Sequence, residues 1–170
     1  DMLTFSRVAN MENVPVGRIS LDAIVKWARQ NLEVAIQESD ADIHVSPLGF
    51  VSGNQIQMVQ LFQNLIANAI KHRIPEVRPR IDIRSERQDG SVTVVVADNG
   101  PGIEAQYHDH IFGVFKRLSR NTRGTGIGLA ICRRIVEKHH GRIWVESDLG
   151  RGAKFFVSLP ASPEPAERSN

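Results

Sequence analysis

Asn64, Asn68, Lys71 and His72 fall in the stretch "NLIANAIKH", residues 64–72. Counted from Asn64, spacings of four, seven and eight residues set all four on one face of a helix. Leu65, Ile66, Ala69 and Ile70 give the other side its apolar surface. An asparagine amide competes for backbone hydrogen bonds and disfavours a helix interior. Such a face needs something that compensates for it.

Two glycine-rich turns carry matching chemistry. In "DNGPGI", Asp98 to Ile103, the aspartate ends the apolar run "VTVVVA". A carboxylate at the edge of a core requires a hydrogen-bond donor. Gly100 and Gly102 permit positive φ and close backbone approach, and Pro101 stiffens the turn. An adenine amino group is one suitable donor. An Asx turn at a hairpin exit accounts for the same residues without any ligand. In "GTGIGLAI", Gly124 to Ile131, three glycines run directly into a helix. Its unpaired N–H groups and dipole favour phosphate. No Gly-Lys-Ser/Thr follows and no strand precedes, so this is neither a P-loop nor a clean dinucleotide fingerprint.

Other elements must hold these segments. "DMLTFSRVAN" has helical character, and "MENVPVGR" reads as a linker with Pro15 and Gly17. Ser20 is placed to cap a helix from Leu21 to about Glu38, with the stripe Leu21, Ile24, Val25, Ala28, Leu32, Ala35 and Ile36. Short strands are expected around "DIHVS" and "GFVS". Asn54 can cap the asparagine-bearing helix, which runs to about Arg73 before Pro75 and Pro79. "RIDIRSER" and "SVTVVVAD" flank "QDG", a hairpin signal. Residues 99–125 read as loop with a short helix near Ala105 to His110. A helix from about Gly128 to His139 follows, and "GRIWVES", "DLGRG" and "AKFFVSLP" form a closing hairpin. "ASPEPAERSN" reads as a disordered tail. Helices and mostly antiparallel strands in this order predict an α/β two-layer sandwich, a mixed sheet with helices on one face.

The chain has 170 residues, 41% apolar and 24% charged, which suits one globular domain. A net charge of +2 is too mild for a nucleic-acid binder. Basic residues cluster at Arg78, Arg80, Arg84 and Arg87, read as a solvated face, and at Lys116, Arg117, Arg120 and Arg123 beside the glycine run. The single cysteine, Cys132, cannot form an internal disulfide and fits a reducing, cytoplasmic setting. No apolar run reaches membrane-spanning length, and no signal peptide is expected.

The asparagine face, the Asp-Gly turn and the glycine-rich helix start stand in the order and spacing of one family, with "IFGVFKRL", residues 111–118, between the last two. From about Ser20 to Pro160 the chain resembles the ATP-binding domain of sensor histidine kinases, in the superfamily that includes gyrase, Hsp90 and MutL. The closing "GRIWVESDLGRGAKFFVSLP" is similar too, and "QLFQNLIANAIKHR" most resembles the phytochrome-like group. The fold this implies is the Bergerat-type ATP-binding sandwich.

The resemblance implies roles. Asn68 would offer its side-chain oxygen to Mg²⁺, and Asn64 would help order metal and phosphates. Lys71 would reach the phosphates. His72 stands where the family often has an aromatic, so it either packs on adenine or is a plain surface histidine. Asp98 would accept from the adenine amino group, with Gly100 and Gly102 giving the base room. Gly124, Gly126 and Gly128 would line the phosphate side, with Thr125 a further contact. Ile103 and Leu129 either wall the base pocket or pack in the core. Residues 104–123 would be the ATP lid, anchored by Phe112 and Phe115, with Arg117 facing the γ-phosphate or the incoming histidine. Only "SRNTR" separates "KRL" from "GTGIG", so the lid is short.

The ATPases of this superfamily commonly carry a glutamate where this chain has Asn64, and an amide cannot serve as a general base near neutral pH. Phosphoryl transfer to a protein side chain is therefore expected over hydrolysis. None of His44, His72, His108, His110, His139 and His140 begins the family's acceptor motif. The acceptor histidine is expected upstream, on a dimerisation domain whose last helix is residues 1–10. Residues 11–19 would be linker, 20–160 the kinase domain and 161–170 tail. The expected partners are that dimerisation domain and a response regulator, with no nucleic acid or direct membrane contact. The fragment is expected to be monomeric, the parent kinase homodimeric, and the isolated chain inactive in autophosphorylation. The alternatives are an ATP-binding regulatory module without phosphotransfer, or a serine kinase or ATPase of the same superfamily.

Overall fold

The computed structural model describes residues 2, 3, 6, 7, 16–113 and 126–162. Strand β1 (Gly17–Ser20) pairs antiparallel with β3 (Phe50–Gly53). Ser20 ends β1 and caps α1 (Leu21–Asn31), its hydroxyl accepting from Ala23 N at 3.3 Å. The single helix expected to Glu38 is two. Asn31, a weak helix former, closes α1 and donates its amide to Gln63 at 3.1 Å. Leu32 leaves helical geometry (ψ 13°), and α2 (Glu33–Ser39) starts afresh. Leu32 and Ile36 still pack on the core across the break.

Strand β2 (Asp42–Val45) leads through a loop to β3 and then to α3 (Gln55–Lys71). Asn54 caps α3, its Oδ1 accepting from Gln57 N at 3.0 Å. Met58, Leu61, Phe62, Leu65, Ile66, Ala69 and Ile70 bury one side of α3. This leaves Asn64, Asn68 and Lys71 on another, as the helical period requires. Strands β4 (Arg80–Gln88) and β5 (Ser91–Asp98) form the expected hairpin. Its turn residues Asp89 (φ 52°) and Gly90 (φ 77°) are both left-handed, the geometry that matches strand twist. The short helix expected near Ala105 to His110 is two 3-10 turns, Ala105–Tyr107 and His110–Phe112. Helix α4 (Gly128–Lys138) and strands β6 (Arg142–Ser147) and β7 (Ala153–Pro160) complete the order.

The main sheet runs β2-β4-β5-β7-β6, with β2 parallel to β4 and the other pairs antiparallel. Period-two alternation sends Ile81, Ile83, Val92, Val94, Val96, Phe155, Val157 and Leu159 into the core with α1, α3 and α4. The register puts Arg84, Val95, Phe156 and Trp144 in one row across the opposite face, where Phe156 and Trp144 stack at 5.1 Å.

Both domain edges differ from expectation. Residues 17–19, expected in the linker, belong to β1. Ala161 and Ser162, expected in the tail, continue beyond β7: Ala161 bridges Val51, and Ser162 N donates to Phe50 O at 3.3 Å. The end of β7 is thereby joined to the small sheet. Among the described residues no helix is long and apolar enough to cross a membrane.

Candidate functional site

The second half of α3 carries the predicted face. Asn64 is engaged at both ends of its amide: Oδ1 accepts from Gln60 Nε2 at 3.0 Å, and Nδ2 donates to Gly128 O at 3.3 Å. Asn68, one turn on, makes no side-chain hydrogen bond to a described residue; its backbone carbonyl takes His72 N at 3.0 Å. Lys71 ends the helix and His72 caps it. His72 is exposed, yet surrounding protein and then the Lys71 ammonium hold its imidazole below the usual histidine range.

Asp98, at the end of β5, is half-buried. Its Oδ1 accepts from Gly100 N at 2.9 Å and Ala153 N at 3.2 Å. Oδ2 makes no hydrogen bond to a described residue and remains available. Burial pushes the carboxyl above the usual aspartate range, against the two backbone donors. The Asx turn of the ligand-free reading is therefore present, and it occupies only one of the two oxygens. A Cβ at Gly100 would stand 3.1 Å from His72 O, so the turn packs directly on the end of α3.

The β6–β7 turn braces the loop after Asp98. Gly150 N donates to Pro101 O at 2.7 Å. Gly102 (φ 81°) lies so close to the Asp148 carbonyl that any side chain would collide with it. Ile103 N donates to Ser147 Oγ at 2.8 Å, and His108 Nε2 donates to Ile103 O at 2.9 Å. Ile103 is partly buried against the core, as is Leu129. Phe112 is buried edge-on against Phe155, centroids 6.2 Å apart.

Helix α4 begins without a side-chain cap, and its first N–H groups have no side-chain acceptor among the described residues. A Cβ at Gly128 would meet no described residue within 4 Å, and Gly126 has φ 72°. Gly124, Thr125, Phe115, Lys116, Arg117, Arg120 and Arg123 lie outside the described residues. Arg78 and Arg80, from the first basic cluster, pair with Asp40 and Asp82 at the surface, each at 3.3 Å.

These donors fit a magnesium nucleotide. Among the described residues no three His, Cys, Asp or Glu side chains group as a metal site. Magnesium does not need such a cage, because it keeps waters and takes phosphate oxygens. The amide of Asn68, unengaged by any described residue, is the oxygen donor it would find here, beside Lys71.

Three contributors carry no chemical signature in the sequence. Asn99 fastens the Asp98 turn to the entry of β4: its Oδ1 accepts from Arg80 N at 2.8 Å and its Nδ2 donates to Arg78 O at 3.0 Å. Ser147 holds Ile103. His139, expected only near a helix end, joins the far ends of α3 and α4. Its Nδ1–H donates to Ile135 O at 2.7 Å, and its Nε2 accepts from Asn54 N at 3.0 Å. An odd polar residue at a strand or helix end was the available signal.

The family model described as histidine kinase-, DNA gyrase B- and HSP90-like ATPase matches residues 53–163. Cyanobacterial phytochrome A of Nostoc sp. is 43% identical over 100% of this chain and 22% of its own length. Phytochrome-like protein Cph1 of Synechocystis sp. is 41% identical over 94% of this chain and 21% of its own. The chain thus spans about a fifth of these relatives. Full-length ShkA in complex with AMPPNP superposes with a TM-score of 0.82 at 25% identity, covering 97% of this chain and 35% of ShkA. The catalytic domain of histidine kinase ThkA gives 0.75 at 28% identity, covering 87% and 97%. The chain belongs to the histidine kinase-, DNA gyrase B- and HSP90-like ATPase family, and within it to the catalytic domains of sensor histidine kinases.

Proposed function

We propose that this domain binds Mg-ATP and donates the γ-phosphoryl group to a histidine on an upstream dimerisation domain. One observation carries the reading: three segments distant in sequence converge. Asn64 reaches Gly128 O, and Gly100 packs on His72 O, so the amide face, the aspartate turn and the glycine-rich helix start border one region. Asp98 Oδ2 accepts from the adenine amino group, and Gly100 and Gly102 leave the base room. Lys71 and the start of α4 take the phosphates, with Gly126 and Gly128 on that side, and the family resemblance gives Gly124 and Thr125 the same role. Asn68 holds the ion, which when bound neutralises phosphate charge.

Asn64 supplies no general base, so water is not activated and transfer to an imidazole nitrogen is favoured. The bond from the γ-phosphorus to its bridging oxygen breaks, ADP departs, and a phosphorus–nitrogen bond forms. Arg117 steadies the transferring group. The parent is a cytoplasmic homodimer that passes the phosphoryl group to a response regulator.

Calorimetry with a non-hydrolysable ATP analogue, with and without Mg²⁺, tests binding. Labelled ATP with a separately supplied dimerisation domain tests transfer. Acid-labile label on that domain, and none on this chain alone, is the expected result. Release of free phosphate as the main product would overturn it in favour of an ATPase.

A further inference from the structure

We infer that Ser147 is a positioning residue for recognition of the nucleotide base; this rests on the proposed hydrogen bond from adenine to Asp98 and takes Ile103 as a wall of the base pocket. Ser147 lies outside the glycine-rich motifs, at the end of β6. Its hydroxyl does two things at once: it accepts from Ile103 N at 2.8 Å and donates to Gly152 O at 2.6 Å. Gly152 precedes Ala153, whose N–H holds Asp98 Oδ1 at 3.2 Å. One hydroxyl therefore joins the strand that orients Asp98 to the loop that carries Ile103.

The remaining links in this brace place Ser147 at its centre. Ile103 is fixed at both backbone polar groups, N–H by Ser147 and C=O by His108 Nε2. Gly150 N holds Pro101 O two residues earlier. Removing the hydroxyl leaves the Ile103 N–H and the Gly152 carbonyl without their partner and frees the loop to shift against Asp98. A hydrogen bond from the purine 6-amino group to Asp98 depends steeply on angle. Apolar contact with Ile103 does not. Loss of Ser147 should thus penalise a base carrying the amino group more than one lacking it.

The test compares binding of ATP and ITP, whose base has an oxygen in place of the amino group, to the 170-residue chain by calorimetry. Wild type should prefer ATP. In Ser147→Ala, ATP affinity should fall about tenfold and ITP affinity about twofold or less, collapsing the preference. Ser147→Thr, which keeps the hydroxyl, should restore it. An unchanged ATP-to-ITP ratio in a folded Ser147→Ala chain overturns the inference. If that variant does not fold, the ratio is read on Ser147→Cys, and a wild-type ratio there overturns it equally. A wild-type chain that does not discriminate ATP from ITP overturns the base assignment itself, and the inference with it. Wild-type discrimination with no Ser147 effect removes the inference alone.

Discussion

The amide of Asn64 donates to the carbonyl of Gly128 across 3.3 Å, joining the face of α3 to the first turn of α4. Cys132 Sγ lies 3.7 Å from Leu61 O further along, and His139 reaches Asn54 N at the far ends. The two helices are thus fastened at three levels, and the Asn64 link is the one beside the proposed phosphates. Asn64→Asp keeps the size but sets a carboxylate against a carbonyl. It should cost about 1–3 kcal/mol in urea melts and weaken nucleotide binding through added negative charge. A parental midpoint with parental affinity would mean that the link is not made in solution.

Asp98→Asn separates folding from recognition. The variant keeps an oxygen for Gly100 N and Ala153 N but turns a donor toward the base. ATP affinity should drop about 10–100-fold, and ITP, which offers an acceptor, should lose far less.

The acidity of Asp98 gives the same site a pH signature. Burial raises its pKa despite two N–H donors. The ionised form accepts from adenine and the protonated form does so poorly. Wild-type ATP affinity should therefore decline as pH falls through the raised value, while Asp98→Asn should show no such limb. Parallel profiles for the two proteins would remove Asp98 from the base site.

His139 controls stability rather than binding. Its carbonyl and N–H partners require the neutral Nδ1–H tautomer. Burial lowers its pKa, with His140 adding to the effect and the Ile135 carbonyl opposing it. The unfolded chain thus takes up a proton more readily than the folded one. The stabilisation is full above the ordinary value of 6.5 and is lost as pH falls below it through the lowered folded value. His72 adds a limb of the same sign. Chemical denaturation at pH 7.5 and 5.5 should show wild type losing more stability than His139→Gln. Equal losses would contradict the tautomer.

What could be read in advance follows from how local each signal is. The caps Ser20 and Asn54, the Asp89-Gly90 turn and the stripe on α3 depend on neighbours within one turn, and each is found. The break at Leu32 comes where Asn31 bonds to Gln63 on the neighbouring helix, and β1 pairs with a strand thirty or more residues away, so no local pattern announces them. For the proposed site, residues with distinctive chemistry, such as Asp98 and Asn68, can be put forward from the sequence. Asn99 and Ser147 act by holding backbone, and any loop or strand end can contain an asparagine or a serine.

Two glycines give opposite outcomes on substitution to alanine. At Gly102, φ is 81° and a Cβ would collide with the Asp148 carbonyl, so the loop cannot stay against the β6–β7 turn. Gly102→Ala should lose several kcal/mol or the fold, since left-handed strain of about 1–2 kcal/mol adds to the clash. At Gly128 no described residue lies within 4 Å of the added carbon, and the residue opens α4. Alanine there is the better helix former by up to about 1 kcal/mol, so Gly128→Ala should melt at or above the parental midpoint. If the phosphates approach the backbone there, the same methyl should reduce ATP affinity while leaving adenosine affinity unchanged. A more stable chain that binds ATP less well is the expected result. A more stable chain with parental ATP affinity would move the phosphates away from the start of α4.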